Sequence, residues 1–254
     1  MNVEGHSALV TGAASGLGAA TARHLASLGA KVGLLDMNAA ALESLATEIG
    51  ATACACDVSS AEQVEAAVAR AREAHGPARI LVNCAGIGPA GRIVGREGPM
   101  PLADFERVID VNLIGTFNAM RLAATDMSAL APVNESGENG VVVNTASVAA
   151  YEGQIGQAAY SASKGAIVAL TLPAARELAR FGVRVVTIAP GLMHTPLLSG
   201  LPQEVQDSLA RQVPFPQRLG TPEEFASLVE HIIGNTMLNG EVIRLDGAIR
   251  MQPK

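Results

Sequence analysis

Seven short apolar runs, each but the last followed by a segment long enough for a helix, constrain this chain more than any other feature. "SALVT" (7–11), "KVGLLD" (31–36), "ATACAC" (51–56), "RILVN" (79–83), "GVVVNTA" (140–146), "VRVVTIA" (183–189) and "EVIRLD" (241–246) read as strands, mostly without polar alternation. Near-continuous apolar strands are buried on both faces. Between them, 16–28, 39–49, 60–75, 104–129, 157–180 and 222–234 carry the Ala, Leu, Glu and Arg that favour helix. The alternation predicts an α/β fold: a doubly wound parallel sheet of about seven strands with helices on both faces, and ligands at the carboxyl ends of the strands. With 254 residues and no linker or repeat, the expectation is one domain over 1–254.

Composition narrows the function. The chain is 49% hydrophobic and 17% charged with a net charge of −6, and it has no cluster of Lys and Arg, which argues against nucleic acid as a partner. No apolar run approaches the roughly 20 residues a membrane-spanning helix needs, and "MNVEGHSALVTG" lacks the pattern of a secretory or transit peptide. A cytoplasmic protein with no membrane association is expected. Cys54, Cys56 and Cys84 lack metal-site spacing, so no metal is expected; Cys54 and Cys56 would share one face of a strand as small core residues.

The first turn between strand and helix is "TGAASGLG", Thr11 to Gly18, with glycines at 12, 16 and 18. Glycine permits positive φ and close backbone approach, and the helix that follows offers unpaired N–H groups and a positive dipole end to a pyrophosphate. Asp36 stands at the end of the next strand, 18 residues beyond Gly18. A carboxylate there can accept from both hydroxyls of an adenosine ribose and repel a 2′-phosphate, so this Rossmann-like arrangement favours NAD over NADP. The alternative for Asp36 is a cap on the helix that follows.

Chemistry concentrates in "SVAAYEGQIGQAAYSASKGA", Ser147 to Ala166, which holds both tyrosines of the chain. Tyr160 and Lys164 are four apart in a helical segment and so face the same way. Ser147 lies just past the strand "GVVVNTA", at the edge where the cofactor belongs. A tyrosine with an ordinary pKa near roughly 10 needs nearby positive charge to act as a base at neutrality. Lys164 and an oxidised nicotinamide supply it; a drop of about three units corresponds to roughly 4 kcal/mol.

On these motifs the chain resembles the classical short-chain dehydrogenase/reductase family over nearly its whole length. "TGAASGLG" matches the family's TGxxxGxG turn, "NCAG" (83–86) its NNAG element with Cys84 in place of the second Asn, Tyr160 to Lys164 its YxxxK, and "PGLMHT" (190–195) its PGxxxT. The resemblance implies that Tyr160 is the acid/base, Ser147 holds the substrate oxygen, Lys164 binds the nicotinamide ribose and tunes Tyr160, and Asn112 in "VNLIGTF" supports a relay water. It implies a cofactor site of Gly12, Ser15, Gly16, Leu17, Gly18, Asp36, Asp57, Val58, Cys84, Tyr160, Lys164, Met193 and Thr195. Within it, Asp57 and Val58 hold the adenine, Cys84 lines the adenosine side, and Met193 and Thr195 meet the carboxamide.

Within the family the chain resembles the 3-hydroxyacyl-CoA dehydrogenase group, on "NTASVAAYEGQIGQAAYSASKGAIVALTLPAARELA", "TIAPGLMHTPLL", "QVPFPQRLG" and "NGEVIRLDGAIRMQP". The implied substrate is an acyl-CoA thioester of short or branched chain. A hydroxysteroid or ketoacyl carbonyl oxidoreductase, and a non-catalytic NAD-binding scaffold, are the other readings. Gln154 resembles a position that faces the substrate, the alternative being a loop glutamine on the surface. Segment 194–220, with four prolines and apolar Leu197, Leu198, Leu201 and Val205, reads as a substrate lid. Arg92 and Arg96 are either solvated surface arginines or contacts for CoA phosphates. The apolar block after Gly240 implies, by resemblance, a homotetramer interface.

Overall fold

The structure, a computed structural model, describes residues 1–200 and 202–253; Leu201 and the side chain of Leu197, both expected in the lid, lie outside the described residues. The apolar runs form one seven-stranded sheet, parallel throughout, in the order β3-β2-β1-β4-β5-β6-β7. Its strands are β1 (Ser7–Thr11), β2 (Lys31–Asp36), β3 (Thr52–Ala55), β4 (Ile80–Asn83), β5 (Gly140–Thr145), β6 (Val183–Pro190) and β7 (Val242–Leu245). The order reverses between β1 and β4, which opens a crevice at their carboxyl ends.

Strand period sorts the core into two layers. Ala8, Val10, Val32, Leu34, Ile80, Val82, Val141, Val143, Val186 and Ile188 point to one face. There they meet α1 (Gly16–Ser27), α2 (Ala39–Ile49) and α9 (Pro222–Gly234), with Phe225 of α9 fully buried. Leu9, Leu35, Leu81, Val142 and Val185 point to the other, against α3 (Ala61–His75), α5 (Gly115–Ser128) and α6 (Ala158–Leu178). Cys54 and Cys56 share this second layer, as small core residues on one face. Each fully buried Val, Leu, Ile or Phe among these stabilises the fold by roughly 1.5–3 kcal/mol. Gly33 lets α3 lie close, since a Cβ there would come within 2.8 Å of the Ala71 methyl.

The helix expected over 104–129 is not regular. It runs as α4 (Leu102–Ile109), a π turn over Asp110–Ile114, and then α5. The π turn inserts the residue that re-aims Asn112 toward the loop after β4, and such turns cluster at functional sites. The lid segment holds α7 (Pro196–Ser199) and α8 (Gln203–Ala210). Its two ends are stitched together: Met193 bridges Gly220, His194 N–H donates to the Gly220 carbonyl at 2.8 Å, and Gly220 N–H to that of Leu192 at 2.9 Å. The excursion therefore leaves and returns at the mouth of the crevice. Leu198 lines that crevice, whereas Val205 of α8 is exposed and covers nothing in it.

Candidate active site

The crevice at the carboxyl ends of β1, β2, β4, β5 and β6 has a volume of about 760 Å³ and gathers most of the expected residues on its walls. At one end lies the turn between β1 and α1. Gly12 has φ +66°, and a Cβ there would stand 2.7 Å from the Ala85 nitrogen; a Cβ on Gly18 would collide with the Gly12 carbonyl. These two glycines let the turn fold tightly onto the loop after β4 and leave backbone beside the crevice. Ser15 precedes α1 in extended conformation without capping it, and the first turn of α1 carries no acidic side chain. Ser15, Gly16 and Leu17 face the crevice, with Thr195 packed on Gly16 from the opposite wall.

Asp36 sits at the tip of β2. Its carboxylate accepts from Ala14 N–H at 3.1 Å and Asn38 N–H at 3.0 Å, which fixes it beside the glycine turn. The cap on α2 is Asn38, whose Oδ1 accepts from Ala41 N–H, so Asp36 is free of the capping alternative. Asp57 and Val58 line the same end; Asp57 Oδ1 accepts from the Ser59 N–H and hydroxyl, and Val58 is buried against Gly115. Cys84 stands nearer the middle: its Sγ accepts from the Thr145 hydroxyl at 3.8 Å, and burial pushes its thiol up to about 12. The thiol is therefore a neutral wall at physiological pH.

At the other end Ser147, just after β5, caps a short 3₁₀ turn over Val148–Ala150 through Ala149 N–H at 3.1 Å. Tyr160 and Lys164 of α6 face it across the crevice, one turn apart as their spacing requires. Lys164 Nζ donates to the Thr145 carbonyl at 2.7 Å. Burial lowers its pKa from 10.5 to about 8. Desolvation raises the Tyr160 pKa, and the contact with Ser147 offsets that only in part, so in the cofactor-free chain Tyr160 is a neutral phenol. Lys164 alone does not offset the desolvation of Tyr160.

Asn112 lies fully buried in the π turn. Its Oδ1 accepts from Ile87 N–H at 2.8 Å, and its Nδ2 donates to the Ile87 carbonyl at 2.9 Å and to Ser163 Oγ at 3.0 Å. The side chain thus ties the loop after β4 to α6, and its amide is spent on protein groups. Beneath the crevice floor Thr11, Asn83, Asn144 and Thr187 stand side by side in register across four strands, all buried. Asn83 Nδ2 donates to Asn144 Oδ1 at 2.9 Å, and Thr11 Oγ1 accepts from Cys84 and Ala85 N–H, which fixes the loop that forms the crevice wall.

Gln154 is where sequence and structure part. Its Nε2 donates to the Gln252 carbonyl at 2.9 Å, and it lines a separate depression beside Arg92 and Ile155 rather than the crevice. A loop glutamine satisfies its amide on the nearest carbonyl, and here that carbonyl belongs to the segment laid over the loop. Gln157 faces the crevice instead, three residues before Tyr160 and so on the same side of the chain, a spacing that could have identified it. Met251 also reaches the crevice, with no signal in its neighbourhood of sequence. Arg92 and Arg96 are exposed, Arg96 inside a small turn closed by a Val94–Pro99 bridge and Arg92 just before it; among the described residues neither is ion-paired. No cluster of His, Cys, Asp and Glu among the described residues could hold a metal, and no described helix is long and apolar enough to cross a membrane.

A family model described as short chain dehydrogenase matches residues 6–206. The 3-hydroxyacyl-CoA dehydrogenase type-2 of Bos taurus is 56% identical, over 99% of this chain and 98% of its own length. Among solved structures, 3-hydroxyacyl-CoA dehydrogenase type-2 from Mycobacterium avium superposes with a TM-score of 0.92 at 44% identity, covering 98% of each chain. A 7α-hydroxysteroid dehydrogenase complexed with NADH and 7-oxo glycochenodeoxycholic acid superposes with a TM-score of 0.89 at 29% identity, covering 100% of this chain and 97% of its own.

Proposed function

The chain belongs to the short chain dehydrogenase family, and from that premise we propose that it oxidises the secondary alcohol of a short or branched 3-hydroxyacyl-CoA to the 3-ketoacyl-CoA, with NAD⁺ as acceptor. The observation that carries the reading is the convergence of Ser147, Tyr160 and Lys164 at one end of a crevice whose other end is a glycine turn backed by a fixed carboxylate. The acyl-CoA substrate is supported by relatives that bear the 3-hydroxyacyl-CoA dehydrogenase name.

The residues present fit the dinucleotide. The turn Gly12 to Gly18 leaves the space that a Cβ would fill, the uncapped N–H groups of α1 suit a pyrophosphate, and Asp36 suits ribose hydroxyls. Lys164 would hold the nicotinamide ribose, and Thr195 and Met193 the carboxamide. A bound nicotinamide would supply the hydride acceptor for the carbinol carbon and a positive charge in the crevice. The chain's own part is the proton. Ser147 Oγ donates to the substrate oxygen and holds it against Tyr160. Tyr160 Oη, once ionised, accepts the hydroxyl proton and becomes the phenol again. Lys164, anchored on Thr145, offsets the negative charge that develops on Tyr160, and Leu198 with Met193 keeps water out. Asn112 holds the loop and α6 in register, and the relay water expected of it would sit at its backbone rather than its spent amide. The second copy, third and fourth of a homotetramer would cover the exposed Ile114, Phe117 and Leu172 and the half-buried edge strand β7.

The test is steady-state kinetics of the purified chain with NAD⁺ against 3-hydroxybutyryl-CoA, a branched 3-hydroxyacyl-CoA, the free hydroxy acids and a hydroxysteroid. A kcat/KM for a thioester at least about tenfold above the free acid and the steroid supports the reading, since contacts to the extra groups are worth that much. Activity confined to the steroid overturns the acyl-CoA assignment.

A further inference from the structure

Loop 151–155, which follows Ser147 and its 3₁₀ turn, is covered by segment 249–253. Three hydrogen bonds join them: Met251 N–H to Glu152 Oε2 at 3.1 Å, Gln154 Nε2 to the Gln252 carbonyl at 2.9 Å, and Ile155 N–H to the Pro253 carbonyl at 3.0 Å. Beneath them lies a cluster of four charges. Arg244 of β7 donates to both carboxylate oxygens of Glu152, at 2.8 and 3.2 Å, and to Asp246 at 2.6 Å. Arg250 closes the ring against Glu152 and Asp246, both at 3.3 Å. The Arg244 guanidinium also stands 5.4 Å from the centre of the Tyr151 ring and donates to the Ile249 carbonyl at 3.0 Å.

The arrangement does more than fasten a strand end. Gly191, on the turn after β6, packs on Asp246 and Ile249, so the segment passes between the Ser147 loop and the wall that leads into the lid. Met251 reaches the crevice from there, its backbone tied to Glu152 in the loop that follows Ser147. The crevice lining also includes apolar Val148, Ala149, Leu192 and Leu198. An unbranched thioether is suited to close an apolar pocket without a fixed shape. Its backbone nitrogen is pinned by a carboxylate that two arginines hold in place, a charge-assisted bond of the stronger kind.

We propose that Met251 is the wall that limits the acyl group of the substrate, and that Glu152, through its bond to Met251 N–H and its clamp on Arg244, is the positioning residue that sets this limit. The inference rests on the alcohol-oxidising role proposed above for the same crevice, and it adds what decides chain length.

The experiment measures kcat and KM for a series of 3-hydroxyacyl-CoA substrates from hydroxybutyryl to hydroxydecanoyl, in the wild type, Met251→Ala, Glu152→Gln and the double variant, with Tm recorded for each. The expected result is that Met251→Ala raises the ratio of kcat/KM for the longest over the shortest substrate by about tenfold or more. Glu152→Gln moves the ratio the same way by about threefold, through KM, and the double variant goes no further than Met251→Ala alone, since both act through one side chain. A ratio unchanged within twofold in Met251→Ala overturns the proposal; so does Glu152→Gln that lowers Tm but leaves the ratio where it was. If Met251→Ala does not fold, Met251→Val is read in its place and must move the ratio in the same direction. If the wild type oxidises no thioester of any length, the substrate reading fails on its own, and the same variants are then compared on a homologous series of simple secondary alcohols.

Discussion

Lys164 Nζ donates to the main-chain carbonyl of Thr145 at 2.7 Å and stands 5.8 Å from the centre of the Tyr160 ring. The lysine is therefore held by the end of β5, and its charge reaches the tyrosine from a fixed point. Buried groups so held carry a cost that depends on pH. The folded chain releases this proton near pH 8, while the unfolded chain holds it to about 10.5, so the folded state is penalised below pH 8 and relieved as pH rises toward 10.5.

Lys164→Met is expected to abolish turnover. Its stability advantage or deficit relative to the wild type, measured by urea unfolding, shifts toward the wild type by about 2 kcal/mol between pH 7.5 and 9.5, because only the wild type gains from deprotonation over that window. A difference that stays flat with pH contradicts the burial of the charge.

Tyr160→Phe removes the proton acceptor and leaves in place the glycine turn, Asp36 and Lys164 that would hold the dinucleotide. The expected kcat falls by about 10³-fold, while the NADH dissociation constant, read by fluorescence, changes by less than about threefold. Retention of more than a few per cent of wild-type kcat rules out Tyr160 as the base.

Asp36→Ala is expected to narrow the preference for NAD⁺ over NADP⁺ by at least about tenfold, since a hydrogen bond to a charged group contributes roughly 1.5–3 kcal/mol. The change should sit in KM for NAD⁺. Loss of the acceptor for Ala14 and Asn38 N–H lowers stability by about 1 kcal/mol, so a Tm record accompanies the kinetics.

The two glutamines are adjacent, since Gln157 Oε1 accepts from Gln154 N–H at 2.9 Å, but only Gln157 reaches the crevice. Gln154→Ala, whose amide serves the Gln252 carbonyl, is expected to change kcat/KM by less than about threefold, whereas Gln157→Ala, on the crevice wall, lowers it by about tenfold. The reverse ranking, measured on one 3-hydroxyacyl-CoA, would return Gln154 to the substrate.

Cysteine chemistry offers a check on the crevice. Burial raises all three thiols, Cys56 and Cys84 to about 12, so at pH 7.5 the folded chain resists iodoacetamide and mass spectrometry finds all three sites modified only after unfolding. Rapid labelling of Cys84 in the native chain would mean that its thiol is ionised by Lys164.

What the residues announced on their own was local or periodic. Continuous apolar runs separated by helical segments were enough for a seven-stranded parallel sheet, because a strand buried on both faces has no other economical composition. The spacing of Tyr160 and Lys164 placed them on one helix face, and the glycine turn with Asp36 marked the cofactor end of the crevice. The rest depends on partners far away in the chain. Asn112 in the π turn is held by Ile87 and Ser163, Gln154 is drawn off by Gln252, and Met251 is held at the crevice by a bond to Glu152 across 99 residues. Periodicity reports which face of an element is buried, and it carries no information on which distant backbone group a polar side chain will meet. Only the tertiary structure decided that, by bringing the loops after β4 and β5 and the segment after β7 together.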